Sequence, residues 1–318
     1  MPTQTFRMGR QAEFDIVSYG RRGLGRPDRL SPAQVAQIAR TVRRTPEVLV
    51  KVSGGGDSVK AVAAHFSYIS RRGELEVETD DGERLLDKGA VSKLIGDWDI
   101  DLDALIDHKE FTERGGRTAH PKLVHNIVLS MPAGTSPQRL LEASRGFARE
   151  EFALQHRYAL VLHTDQNHPH VHLVVGAHRR EGGRLNIRKA DLRRWRERFA
   201  DQLRSHGVAA NATPAQIRGR TTDHLKDGLY RAAQRGAARV VRNSQRAPEQ
   251  AAETARAVQH DWQRTASILE AQGQGNLAAE VQRFMRSLEN ANSRRPFRIH
   301  NDRHFQIHRV PQQLELSR

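Results

Sequence analysis

There is no cysteine among the 318 residues. Disulfides and thiolate ligands are therefore excluded, and a firmly held metal would have to be bound by imidazole or carboxylate. Aromatic residues are scarce at 5%, with four tyrosines, so the candidates for a phenolic nucleophile are few. No stretch approaches the roughly 18 apolar residues needed to span a bilayer, and membrane insertion is not expected. Acidic residues are also short, with 37 Asp and Glu against 52 Lys and Arg, a net charge of +15 and a sequence pI near 10.9. The expected partner is a polyanion, with nucleic acid ahead of an anionic membrane surface. The opening MPTQTFRMGRQAEFD is polar and lacks the apolar core of a secretory signal, which points to a cytoplasmic protein.

The length allows one large domain with an appendage, or two domains. Residues 1–45 read as a basic Arg/Gly/Pro arm containing one short helix capped by Ser31. A strand at 48–52 leads through Gly54-Gly55-Gly56 into a helix over 57–70. On that helix Val59, Val62, Phe66 and Ile69 form an apolar stripe, whereas Tyr68 lies about 200° from Phe66. Alternation over 74–85 with Asp81-Gly82 marks a hairpin. Helices follow near 87–96 and 101–108, then a central strand at 124–131, an amphipathic helix at 136–152 and a basic helix ending at Gly207. The expected fold is α+β, a central antiparallel sheet flanked by helices over 46–220, followed by a helical basic region over 221–318. That last region has predicted helices near 223–242, 249–272 and 275–291, and its role is not legible.

The densest chemistry lies in His163-Thr-Asp165-Gln-Asn-His168-Pro-His170-Val-His172. Alternate residues of a strand share a face, so His170 and His172 project together. The apolar run 158–162 ends at His163, and the six residues before His170 suit a hairpin. Antiparallel pairing would set His163 opposite His170 and complete three nitrogens, the ligand number of an open catalytic metal site. Scattered histidines are usually surface or packed residues, but the in-face alternation here favours ligation. Asp165 can be a fourth ligand, an orienting carboxylate or a turn residue, and His168, before Pro169, reads as a turn residue.

A basic protein with such a site could activate water or supply its own nucleophile. With no cysteine and no GxSxG elbow, the tyrosines remain: Tyr19 in a Gly/Arg loop, Tyr158 in a strand, Tyr230 in a late helix, and Tyr68. Tyr68 is the best placed, being off its helix's apolar stripe and followed by Ser70-Arg71-Arg72, which can hold phosphates.

Three blocks now resemble a known family. Ala64-His-Phe-Ser-Tyr68-Ile-Ser-Arg71-Arg72-Gly is similar to the nucleophile motif of the relaxase/mobilisation nucleases. His125-Asn-Ile-Val-Leu-Ser130-Met-Pro-Ala-Gly134 resembles their second motif, whose serine lies near the bound strand. The 163–172 block resembles their third, the histidine pair of the wider superfamily of single-strand nucleases with a His-hydrophobic-His signature. The resemblance spans roughly residues 46–220. Where many members carry Asn soon after the pair, this chain reads Val174-Val175-Gly176; that contact is lost or comes from elsewhere, Asn186 being one candidate.

The resemblance implies a conjugative relaxase. Tyr68 would attack a phosphodiester at a transfer origin and leave a 5′ phosphotyrosyl link and a free 3′ hydroxyl, a bond that can later be rejoined. His163, His170 and His172 would hold a divalent metal, Mg²⁺ or Mn²⁺ with Zn²⁺ as the alternative. Asp165 would orient His163 or assist proton removal. Ser130, Arg71, Arg72, Arg188 and Lys189 are the expected DNA contacts, with Arg193, Arg194 and Arg196 alongside and Trp195 as a stacking surface. The implied partners are single-stranded origin DNA, accessory origin proteins and a type IV secretion coupling protein that exports the covalent complex. Competing readings are a replication-initiator or transposase nuclease of the same superfamily, a non-catalytic single-stranded DNA-binding protein, and a water-using metal hydrolase.

Overall fold

The computed structural model describes residues 29–87, 89–113, 121–219 and 248–293. Tyr19, Tyr230, the helix expected near 223–242 and the tail beyond residue 293 lie outside these. The chain divides into two compact units, one spanning Thr45–Ala212 and the other formed by the segments on either side of it.

The Thr45–Ala212 unit is built on six antiparallel strands: β1 (Leu49–Gly54), β2 (Val77–Thr79), β3 (Arg84–Leu85), β4 (Val124–Ser130), β5 (Tyr158–His163) and β6 (His170–Gly176), ordered β1-β4-β6-β5-β2-β3. Every pairing is antiparallel. With the flanking helices, this is the α+β architecture expected. Alternation along the strands divides the apolar residues between two cores. Val50, Ile127, Leu129, Leu160, Val171, Leu173 and Val175 pack on one face beneath α5 (Pro137–Phe152) and α6 (Lys189–Ser205). Val77, Val124, Ala159, Val161 and Val174 pack on the other face beneath α2 (Val59–Ile69), α3 (Ala90–Asp97) and α4 (Ile100–Glu113).

α2 forms for the reasons read from sequence. Ser58 caps it by accepting the Ala61 N–H at 3.3 Å, satisfying one of the free donors of the first turn. Val62, Phe66 and Ile69 are its buried stripe, while Tyr68 is 65% exposed. The entry turn depends on glycine: a Cβ on Gly55 would lie 2.3 Å from the Val124 carbonyl oxygen. At the β2–β3 hairpin Gly82 has φ +85°, a conformation that suits glycine best.

The second unit is helical in its described part. α1 (Pro32–Val42), α7 (Pro248–Ala271) and α8 (Gly275–Ser293) enclose a core around Ile38, Ile217, Trp262, Leu269, Val281 and Phe284. Ser31 and Gln34 form a reciprocal capping box on α1. Residues 29–44 are therefore not an independent arm. Leu30 exchanges backbone bonds with the Gln272 amide (2.9 and 3.0 Å), and Arg43 makes a two-pronged pair with Glu280. The Ser31 cap signalled a helix here, but its packing partner lies more than two hundred residues away, a distance that local pattern does not encode. No helix among the described residues is long and apolar enough to cross a membrane.

Candidate metal centre

The β5–β6 pairing sets His163 directly opposite His170, and His172 follows two residues later on the same face. The three ring centroids are 4.5–5.1 Å apart, and one ligand atom from each lies within 4.8 Å of the others. Each ring is held differently. His163 donates from Nε2 to the Ile69 carbonyl at 2.7 Å, which leaves Nδ1 as its lone-pair nitrogen. His170 donates from Nδ1 to the His168 carbonyl at 3.1 Å, which leaves Nε2. His172 has Nδ1 buried without a hydrogen-bond partner.

Electrostatics suit ligation. Burial, together with His163, His170, His65 and Arg71, pushes the His172 imidazole down to about 3. Burial also lowers His163. A metal ligand must present a neutral ring, and both rings are kept neutral at physiological pH by their surroundings. Three imidazoles whose second nitrogens are bonded or buried fit a divalent ion.

Tyr68 is joined to this cluster through its own helix. The residue after it, Ile69, supplies the carbonyl that orients His163. The Arg71 guanidinium lies 6.0 Å from the Tyr68 ring centroid and forms an ion pair with Asp165. Arg71 and Arg72 both have positive φ, at 54° and 60°, so the turn after α2 is strained. Asp165 Oδ1 is 3.9 Å from His163 Nδ1, too far for a hydrogen bond. The orienting bond expected from Asp165 comes instead from Ile69, and Asp165 engages Arg71.

The supporting residues are also accounted for. Ser130 donates to the Pro169 carbonyl at 3.1 Å, and the Ala133 N–H donates to His168 Nδ1 at 3.0 Å. His168 is thus a turn residue that clamps the histidine hairpin to the end of β4. The basic residues of α6 are not brought to the site. α6 packs on the face opposite the histidines. Arg188 and Lys189 stand exposed at its start. Trp195 is 1% exposed in the core, with Nε1 donating to Glu151 at 2.7 Å, so it cannot stack on a base. Arg194 pairs with Glu151 and Asp191, and Arg196 bonds the Val50 carbonyl. Asn186 follows Leu185, whose N–H meets the Ala177 carbonyl, beyond the end of β6 remote from His170.

Two residues were missed from sequence. His65, one helical turn before Tyr68, has its ring 6.3 Å from that of His172 and its Nε2 buried without a partner. Asn126 lies opposite Val174, 8% exposed with Oδ1 unpartnered. It places an amide on the same face as the triad. The i−3 spacing from Tyr68 could have flagged His65, but Asn126 needed the strand register.

The site thus joins three imidazoles on two adjacent strands, able to hold a metal ion, to a tyrosine on the helix above them. Residues 79–208 match the family described as Relaxase: MobA/VirD2-like, nuclease domain. All three histidines and Asp165 fall inside the matched segment; Tyr68, Arg71 and Arg72 precede it. The chain is similar to the T-DNA border endonuclease VirD2 of Agrobacterium fabrum, 27% identical over 212 residues, covering 62% of this chain and 46% of that protein. It is also similar to VirD2 of Rhizobium radiobacter, 26% identical and covering 54% and 43%. The chain thus spans less than half the length of these curated relatives. A solved structure titled "Molecular Basis of Vancomycin Resistance Transfer in Staphylococcus aureus" is similar at 13% identity and a TM-score of 0.33, covering 54% of this chain and 99% of that one.

Proposed function

We propose that the protein is a conjugative relaxase that nicks one DNA strand at a transfer origin by transesterification on Tyr68. The carrying observation is the continuous set of contacts from Tyr68 through Arg71 and Asp165 to the edge of the histidine triad. In this reading the Tyr68 oxygen attacks phosphorus and the bond from phosphorus to the 3′ oxygen breaks. Asp165 accepts the phenol proton, and the departing 3′ oxygen takes up a proton. Arg71 places positive charge beside the attacking oxygen, and Arg72 and Ser130 contact the strand. His163, His170 and His172 would hold a divalent ion, Mg²⁺ or Mn²⁺ with Zn²⁺ as the alternative. When bound, that ion supplies Lewis-acid stabilisation of charge on the phosphate oxygens. The 5′ phosphotyrosyl bond keeps the energy of the phosphodiester, so reversal rejoins the strand. The partners that go with this reading are single-stranded origin DNA, accessory origin proteins and a type IV secretion coupling protein, acting on a cytoplasmic protein exported with its covalently bound DNA.

The test is mass spectrometry of protein incubated with Mn²⁺ and single-stranded oligonucleotides tiled across the mobile element that encodes it. An adduct mapped to Tyr68 and absent from Tyr68→Phe is expected. Cleavage that survives Tyr68→Phe but not His170→Ala would instead indicate a water-using hydrolase, and an adduct on Tyr19 or Tyr230 would overturn the nucleophile assignment.

A further inference from the structure

β1 is an edge strand, and its residues divide sharply. Val48 and Val50 face the core beneath α5 and α6, while Leu49, Lys51 and Ser53 face the side that carries the histidines and are exposed. Register places these residues in rows with the site. Leu49, Ser130, His170 and His163 form one row across four strands, and Lys51, Val128, His172 and Val161 form the next. Moving across each row from β5 to β1, the face passes from buried to open: His163 and Val161 are buried, Ser130 and Val128 are half-buried, Leu49 is 48% exposed and Lys51 is exposed. α2 therefore covers only the inner part of this face and leaves a strip of β1 and β4 uncovered beside the triad.

The strip has a definite chemistry. Lys51 makes no ion pair or hydrogen bond among the described residues, and it lies two strands from His172, about 10 Å at the usual strand spacing. A lysine stem can span much of that gap. Leu49 and Val128 are apolar surface beside it, and Ser130 sits at its inner edge with hydroxyl lone pairs free to accept. An exposed, unpaired cation alternating with apolar side chains along a flat strand suits a sugar-phosphate backbone with a base or sugar laid against it. The +15 net charge of the chain adds attraction for the same ligand.

We propose that this strip, Leu49, Lys51, Val128 and Ser130, seats the nucleotides next to the scissile phosphate, with Lys51 holding a backbone phosphate. The proposal deepens the relaxase reading and rests on it for the identity of the strand. It also adds the edge strand β1 to the basic contacts expected at the start of α6.

The experiment measures fluorescence anisotropy of a labelled oligo-dT on the full chain over a range of salt, for wild type, Lys51→Ala and Arg193→Ala. Arg193 is exposed on α6, so it controls for the loss of one charge on the wrong face. Losing one phosphate contact should flatten the slope of log K against log salt by about 0.7 and weaken binding about fivefold near 0.1 M salt. Arg193→Ala should leave the slope unchanged. Because the chain has no cysteine, Lys51→Cys also gives a single thiol, which should cross-link a thiol-tethered oligonucleotide where Arg193→Cys does not. If Lys51→Ala and Arg193→Ala behave alike, or the two thiols cross-link equally, the strip is not the seat. Tyr68 adduct formation is read separately, so loss of the adduct with Lys51 dependence intact overturns the relaxase reading and leaves the strip standing.

Discussion

Lowering pH from 7 to 5 should destabilise the metal-free Thr45–Ala212 unit through its buried imidazoles, and His172 should carry the largest single share. Its ring is held down to about 3 in the fold, against about 6.5 in an unfolded chain. Below 6.5 the unfolded state takes up a proton that the folded state refuses, so stability is full above about 6.5 and is lost progressively down to about 3. The limiting slope is about 1.4 kcal/mol per pH unit per group, or about 2 kcal/mol between pH 6.5 and 5. The ring is only partly buried, and screening by water reduces that to about 1 kcal/mol. His65, His125, His156 and His163 are also lowered, chiefly by burial, and act in the same direction. The assay is urea denaturation of EDTA-treated protein at pH 7 and pH 5, read by tryptophan fluorescence in a Trp262→Phe background. The emission then comes from Trp98 and Trp195, both in this unit. His172→Gln should lose about 1 kcal/mol less than the parent on acidification. Equal losses would refute the reasoning, because they would mean that the His172 environment does not exclude the proton.

Two other substitutions separate structural from functional roles. Trp195→Ala should cost about 3–5 kcal/mol in the same assay, because it empties a core position and removes the indole bond to Glu151, which keeps Arg194 and Arg198; a loss below 1 kcal/mol would return Trp195 to the surface. Arg71→Ala should change stability by less than about 0.5 kcal/mol, since its pair with Asp165 is largely exposed. It should nonetheless slow Tyr68 adduct formation by about tenfold or more in single-turnover kinetics, and an unchanged rate would remove Arg71 from the site.

Comparison of the elements shows where local pattern was sufficient. The strand from Val124, the helix from Pro137 and the histidine strands lie where period-2 and period-3.6 alternation placed them. Their signals are local and strong. The side-chain direction of Tyr68 was also legible, because a helix turns by a constant angle. The basic run 188–198 was less legible, because charge marks solvent exposure without marking which side of the sheet is exposed. Arg194 and Arg196 are engaged within the fold, and Trp195 faces the core. The same periodicity that makes α6 amphipathic is blind to what lies on the far side of the sheet.

By itself the sequence determined the ligand chemistry, the histidine spacing that puts three imidazoles on one face, the tyrosine on the covering helix and the overall α+β order of elements. These follow from residue type and short-range geometry. Tertiary structure alone decided that Ile69, not Asp165, orients His163, that Arg71 pairs with Asp165, that Lys51 belongs to the row of His172, and that Asn126 lies on the same face one row further along. Those relations are set by strand register and helix docking between segments tens of residues apart, where a shift of one residue turns every side chain to the opposite face.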